Sequence, residues 1–338
     1  MTGDRMRAVL LTGHGGYECL SVRNDLRVPV ADTGEVLIRI AAAAVNNTDI
    51  NTRLGWYSGG GWTGSFQFPR IQGIDACGVV TDIGAGVSPS LLGRRVLIEP
   101  CWRAPREPLV AARFFGSEVD GAFAQFAVVP ERHVHPIESP LTEIELASFP
   151  CSYSTAENML VRTGVSATDR VLVTGASGGV GSAAVQLAVG RGASVTALAG
   201  SAKHAAIRAL GAIKVVDRDC DLIATFGTAA FDVVIDVVGG PSWSSLLSAL
   251  APGGRYATAG AIAGPDVALD LRTLYLHDIT MFGCTVLGEG VFDGLVRLIE
   301  LGEVMPLVAA VFALDQIVEA QQLFLTKQHI GKIVLRVD

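Results

Sequence analysis

The spacing of apolar positions along the 338-residue chain changes near residue 170. Before that point, short apolar runs such as EVLIRIAAAAV (35–45), DACGVVTDIG (75–84), RRVLIEP (94–100) and AFAQFAVVP (122–130) sit between breaks rich in glycine and proline. Such runs, bounded by turn residues, predict short β-strands in a barrel-like or partly open β domain. From Val171 the pattern becomes strand then helix, repeated. RVLVTG (170–175) leads into GGVGSAAVQLAVGRGA, SVTALAG (194–200) into AKHAAIRALGA, and IKVVD (213–217) into CDLIATFG. FDVVIDVVGG (231–240) is followed by PSWSSLLSALAPG, then RYATAGA (255–261) and DITMFGCTV (278–286). Apolar strands alternating with helices suit a parallel sheet covered on both faces, and six of them predict a complete doubly wound, dinucleotide-binding α/β domain. The tail carries two amphipathic helical stretches (291–304 and 314–327), and its closing strand GKIVLRVD is expected to complete the sheet of the first domain. The expected division is therefore 1–151 with 287–338, and 152–286.

Composition narrows the partners. Half the residues are hydrophobic, 17% are charged and the formal net charge is −7, so no basic field attracts nucleic acid. The opening MTGDRMRAVLLTGHGG has no leader-like apolar core and no run of 18 apolar residues follows, so neither secretion nor a membrane span is expected. A cytoplasmic location is the expectation. The six cysteines include no C-x-x-C, which argues against a zinc ribbon or a disulfide framework. His133 and His135 have chelating spacing but no third ligand close in sequence, so a structural role is expected.

The chemistry gathers in TGASGGVG (174–181), between a strand and the helix expected near Gly179. Backbone N–H groups and the helix dipole there suit a diphosphate. Ala176, Ser177, Gly178, Gly179 and Val180 are the candidates, with Ala176 and Gly178 lining the phosphates and Gly181 allowing tight helix packing. The strict G-x-G-x-x-G spacing is broken, because Ala176 takes its first position. An NAD site wants an acid about 20 residues on. None occurs between Ser194 and Arg208, whereas Ser201, Lys203 and Arg218 could meet a 2′-phosphate. NADPH is the expected cofactor. Val238, Gly260 and Ala261 complete the cofactor candidates on the later strands.

Taken in order, EVLIRIAAAAVNNTDINTR, QGIDACGVV, DGAFAQFAVVP, ASFPCSYSTAENML, VLVTGASGGVGSAAVQLA, FDVVIDVVGG and GKIVL resemble the medium-chain dehydrogenase/reductase superfamily, in its zinc-independent, quinone oxidoreductase-like branch. The resemblance implies a GroES-like catalytic domain split around an inserted Rossmann domain. It also implies a homodimer docked through the edge of the Rossmann sheet, which the apolar last strand suits. Zinc-dependent members carry ligands where this chain has Asn46, Asn51, the segment Gly73–Ile74–Asp75, and Cys151. One thiol and at most one carboxylate are too few for zinc, so no metal is expected. Without a metal the reaction must spread developing charge over a conjugated system, which points to reduction of a quinone or an α,β-unsaturated carbonyl. The catalytic candidates are Asn46 and Asn51 as amide donors and Tyr57 and Tyr153 as phenols, with Thr155 at the nicotinamide end by resemblance. Arg53 is a candidate for substrate binding or for an ion pair with Asp49 or Asp75, and Asp49 is expected to hold a loop. The stretch GWYSGGGWTGSFQFP (55–69) is a candidate substrate lid. Two rival readings stand beside this one: a zinc-type alcohol dehydrogenase, and a non-catalytic NADPH-binding sensor.

Overall fold

The computed structural model describes residues 4–59, 66–104 and 106–337. The chain divides into two units, one of residues 1–151, 299–301 and 305–338, the other of residues 152–298 and 302–304. The return to the first unit comes later than residue 287. Asn158 pins the segment before the helix Val291–Glu300 to the second unit, donating to the Val286 carbonyl at 3.1 Å and accepting from the Gly288 N–H at 3.1 Å.

In the first unit a seven-stranded sheet is built around Glu35–Val45. That strand pairs antiparallel with Asp75–Ile83, with Phe126–Pro130 and with the C-terminal Lys332–Arg336. Three partners along one strand bury it, which its apolar run suits. The closing strand joins in the register Ile333 opposite Val45. One step further along, Lys332 arrives beside Asn46, the residue that starts the short helix Asn47–Arg53. Val36, Ile38, Ile40, Phe115, Phe123 and Ile333, all buried, form part of the core beneath.

The second unit holds six parallel strands in the order Lys214–Asp217, Ser194–Ala199, Arg170–Val173, Phe231–Asp236, Leu250–Thr258, Thr280–Gly283. All six were readable from the apolar runs. The chain order reverses direction between Arg170–Val173 and Phe231–Asp236, and in open α/β sheets ligands bind outside the carboxyl ends of strands at such a switch. Thr174 and Asp236 stand at that place. Among the described residues no helix is long and apolar enough to cross a membrane.

Candidate functional site

The glycine-rich turn of the second unit is shaped by two close approaches. Gly175 has φ +57°, a left-handed conformation that a side chain disfavours. At Gly181 an added Cβ would come within 2.2 Å of the Gly175 carbonyl oxygen, so glycine is obligatory for seating the helix Gly179–Gly190 on the turn. Gly178 differs. Its Cβ would meet nothing nearer than the Gly175 oxygen at 3.5 Å, an ordinary contact, so the protein's own packing does not demand glycine there. A bare, exposed backbone at a helix N-cap is what an incoming phosphate needs. The first intrahelical bond runs from the Ser182 N–H to the Gly178 carbonyl at 2.9 Å, so the N–H groups of Gly179, Val180 and Gly181 precede it and have no partner within the helix. Ala176 departs from expectation: it is buried, and its N–H donates to the Leu198 carbonyl at 3.1 Å. It supports the turn from beneath rather than lining the phosphate site.

At the end of the second strand, Ser201–Lys203 forms a short turn. Lys203 Nζ donates to Ser177 Oγ at 3.3 Å, joining this corner to the glycine turn. The Arg218 N–H donates to the Ala199 carbonyl, so Arg218 stands beside the same strand end, its exposed guanidinium 3.6 Å from Asp219. Burial and the positive charge of Arg218 lower the Lys203 pKa. Two cations that repel each other at one corner suit an anion between them. Ser201 is exposed, and a Cβ at Gly200 would meet nothing within 4 Å.

Beyond the fourth strand, buried Asp236 accepts from Thr174 Oγ1 at 2.5 Å, from Tyr256 Oη at 2.5 Å and from the Val238 N–H at 2.9 Å. This fixes the loop carrying Val238. Ala261 lies against that loop, 3.3 Å from where a Gly239 Cβ would stand, and the Val237 oxygen is 3.2 Å from a Cβ built on Gly260. Val238, Gly260 and Ala261 are thus gathered in one place. Thr155 is part-exposed on the helix Pro150–Thr163. Tyr153, on the same helix, is buried, and its hydroxyl accepts from Gln186 Nε2 at 2.9 Å. Burial drives its pKa well upward. Sequence reasoning offered Tyr153 as a proton donor; its place in the interior makes it a packing residue.

In the first unit, Asn46 caps the helix Asn47–Arg53. Its N–H donates to Asp49 Oδ2 at 2.8 Å, and Asp49 Oδ1 accepts from the Gly73 N–H at 3.2 Å, so Asp49 holds the loop as expected. Burial pushes the Asp49 pKa up to about 7, against the backbone donors and Lys332 that lower it. The Asn46 amide is fully engaged. Its Nδ2 donates to the Ala44 carbonyl at 3.1 Å and to Asp75 Oδ2 at 2.8 Å, while its Oδ1 accepts from Lys332 Nζ at 2.5 Å. Asn46 therefore organises the site rather than donating to a substrate. Lys332 Nζ also lies 2.6 Å from Asp75 Oδ2, and Asp75 Oδ1 accepts from the Cys151 N–H at 2.6 Å.

Asn51 and Tyr57 do meet: Asn51 Nδ2 donates to Tyr57 Oη at 3.4 Å. Tyr57 is 36% exposed. Its partial burial raises its pKa, as do nearby Cys151 and Asp49. Arg53 is buried and serves neither expected role. It donates to Gln321 Oε1 at 3.1 Å and to the Gly15 carbonyl at 2.7 Å, and stacks over Tyr17. His133 Nδ1 donates to Glu99 Oε2 at 2.6 Å, its Nε2 accepts from Arg132 Nε at 3.0 Å, and its ring stacks on Trp102, a structural arrangement. Residues 60–65 of the candidate lid lie outside the described residues. Lys332 was the residue that sequence reasoning missed. Its signal was a charge heading the apolar strand GKIVL.

Over residues 32–139 the chain matches the family described as alcohol dehydrogenase GroES-like domain, and over 179–300 the family described as zinc-binding dehydrogenase. A Sinorhizobium meliloti structure provisionally assigned as an alcohol dehydrogenase is 42% identical, covering 100% of this chain and 98% of its own, with a TM-score of 0.94. The chain belongs to the medium-chain dehydrogenase/reductase superfamily. Its relatives in that superfamily include the acryloyl-coenzyme A reductase of Metallosphaera sedula, 29% identical over 98% of this chain and 99% of the relative. The quinone oxidoreductase of Lama guanicoe is 28% identical over 99% and 98%. A medium-chain dehydrogenase/reductase is an oxidoreductase that works with a nicotinamide cofactor, and the open glycine turn fits one.

Zinc is also implied by the name of one matching family, but the donor set does not fit it. A catalytic zinc takes three protein ligands. At the positions where metal-dependent members of the superfamily hold theirs, this chain has two asparagines and one thiol, and both oxygens of Asp75 already accept hydrogen bonds. Among the described residues no cluster of three or more His, Cys, Asp or Glu side chains is placed to hold an ion.

Proposed function

We propose that this chain is an NADPH-dependent reductase of quinones or α,β-unsaturated carbonyls that works without a metal. The observation carrying the reading is the first-unit donor set, in which the polar groups free to meet a substrate are hydrogen-bond donors and no Lewis acid is provided for. A simple ketone concentrates charge on one oxygen as it is reduced, and hydrogen bonds alone serve it poorly. A conjugated acceptor disperses the charge, and milder stabilisation suffices. The names of the acryloyl-coenzyme A reductase and quinone oxidoreductase relatives support the same class.

NADPH, when bound, supplies the hydride. The rest falls to the protein. Gly179, Val180 and Gly181 hold the diphosphate through their N–H groups, and Ser201, Lys203 and Arg218 take the 2′-phosphate. Asn51 donates to the Tyr57 oxygen, which leaves the phenol proton for the substrate carbonyl oxygen. Partly exposed Tyr57 then recovers a proton from water. The raised phenol pKa keeps that proton in place across the neutral range.

The test is a substrate panel followed by nicotinamide absorbance, with NADPH and NADH side by side, on protein treated with chelator. Oxidation of NADPH by a quinone or an alkenal, with no turnover of simple ketones or alcohols, is the expected result. Alcohol oxidation that needs added zinc would establish the alcohol dehydrogenase reading instead. Tight NADPH binding with no turnover of any acceptor would establish the sensor.

A further inference from the structure

At the junction of the helix Asn47–Arg53, the strand Asp75–Ile83 and the start of the helix Pro150–Thr163, three groups converge from distant parts of the sequence: the Asn46 amide, the Asp75 carboxylate and the Cys151 backbone. These are three of the positions that hold zinc in metal-dependent members of the superfamily. What joins them here is an ammonium. Lys332 Nζ bonds both Asn46 Oδ1 and Asp75 Oδ2, and the Lys332 and Asp75 side chains are 3% and 0% exposed.

We propose that Lys332 is a built-in cation that does the organising work of a metal at this junction and, by doing it, closes the junction to metal ions. Asp75 is completely buried, and a buried carboxylate needs either a cation or a proton. With the ammonium removed, Asp75 Oδ2 and Asn46 Oδ1 would be left as two buried oxygens carrying a net negative charge, the condition that draws in a divalent ion. The ammonium supplies the positive charge instead, and it occupies Asp75 Oδ2 and Asn46 Oδ1, the two oxygens such an ion would claim. It is covalently tethered and cannot be lost to a chelator. Its placement follows from the fold: the register of Ile333 against Val45 delivers Lys332 to Asn46 and nowhere else. An ordinary structural ion pair would leave metal uptake unchanged when Lys332 is replaced.

The inference rests on the metal-free reading of the activity, and its test is kept separate by measuring metal rather than turnover. Purified full-length chain is incubated with excess zinc, desalted and analysed for metal. A parallel sample takes cobalt, whose thiolate absorption reports on Cys151. Wild type should emerge with far less than one ion per chain. Lys332→Met, similar in length and uncharged, should melt lower than wild type, retain at least about fivefold more zinc, and recover part of its lost melting temperature when zinc is present. Cys151→Ala in that background should abolish the cobalt–thiolate band. Should Lys332→Met fail to fold, Asn46→Cys alone decides: with Lys332 still in place it should stay metal-poor despite the second thiol. Stoichiometric zinc in wild type or in Asn46→Cys, or a folded Lys332→Met that takes up no more metal than wild type, overturns the proposal.

Discussion

At Lys203 two effects act in the same direction. Burial and the nearby Arg218 charge both disfavour the ammonium in the protein alone, and an anion placed between the two cations would reverse that balance. The 2′-phosphate of NADPH is such an anion, and NADH lacks it. Lys203→Ala should therefore raise KM for NADPH about tenfold, equivalent to ~1.4 kcal/mol, while leaving NADH nearly unchanged. Gly200→Asp should go further. The position has an ordinary extended φ of −63° and open space for a side chain, so an acid fits there, repelling the phosphate and offering NADH a ribose contact. Steady-state kinetics with both cofactors check the pair; equal weakening of both by Lys203→Ala removes the NADPH assignment. The phenols separate in the same way. Tyr57→Phe should lower kcat on the order of 10²-fold, the usual effect of losing a positioned proton donor. Tyr153→Phe, which loses an interior contact to Gln186, should keep the rate and lose some stability.

The glycine turn and the helix it starts show how element-scale packing sorts residues that look equivalent in sequence. Gly178→Val points into open space, so the fold should survive while NADPH affinity, followed by fluorescence titration, falls at least tenfold, or ~1.4 kcal/mol. Gly181→Ala drives a methyl group into the Gly175 carbonyl and should lower the melting temperature whether or not cofactor is bound. The helix capped by Asn46 yields a pH prediction. The Asp49 pKa is raised by burial from its ordinary value to about 7, so the native state binds this proton more tightly than the unfolded chain. The stabilisation it brings is complete at low pH and is lost as pH rises through 7. The melting temperature of wild type minus that of Asp49→Asn should thus decline between pH 5 and pH 8, and a constant difference would disprove the linkage. These elements were not equally legible. The six parallel strands could be read because both their faces are covered, which leaves uninterrupted apolar runs. The glycine turn itself was legible because a glycine-rich stretch between strand and helix has few uses. Asn46, Arg53 and Lys332 were not, because their partners (Asp75, Gln321, and Asn46 with Asp75) lie far away in sequence and meet only in the folded structure. Local pattern carries no information about such pairings. Ala176 was illegible for a subtler reason: its N–H is claimed by the Leu198 carbonyl, a partner on the neighbouring strand.

For the whole molecule, the open question is what covers the edge of the parallel sheet. Thr280–Gly283 is one of the two edge strands, paired with a neighbouring strand on one side only. Of the residues that made this segment look apolar, Ile279 is buried inward and Met281 and Phe282 are only part-covered. The preceding helix, Leu271–Leu276, adds what the sequence reading had not weighed: Leu271, Tyr275 and Leu276 are each more than 60% exposed. An apolar helix face preceding a sheet edge is costly to leave in water, and a second copy of the chain related by a two-fold axis would cover both features at once. Light scattering at micromolar concentration should accordingly give twice the monomer mass. Tyr275→Asp combined with Leu276→Asp should shift the protein to monomer without altering its far-UV circular dichroism, since neither side chain contributes to the core. NADPH binding at the glycine turn should persist in that monomer, because every group assigned to it belongs to one chain. A wild-type protein that scatters as a stable monomer would mean that the edge strand is left uncovered in solution.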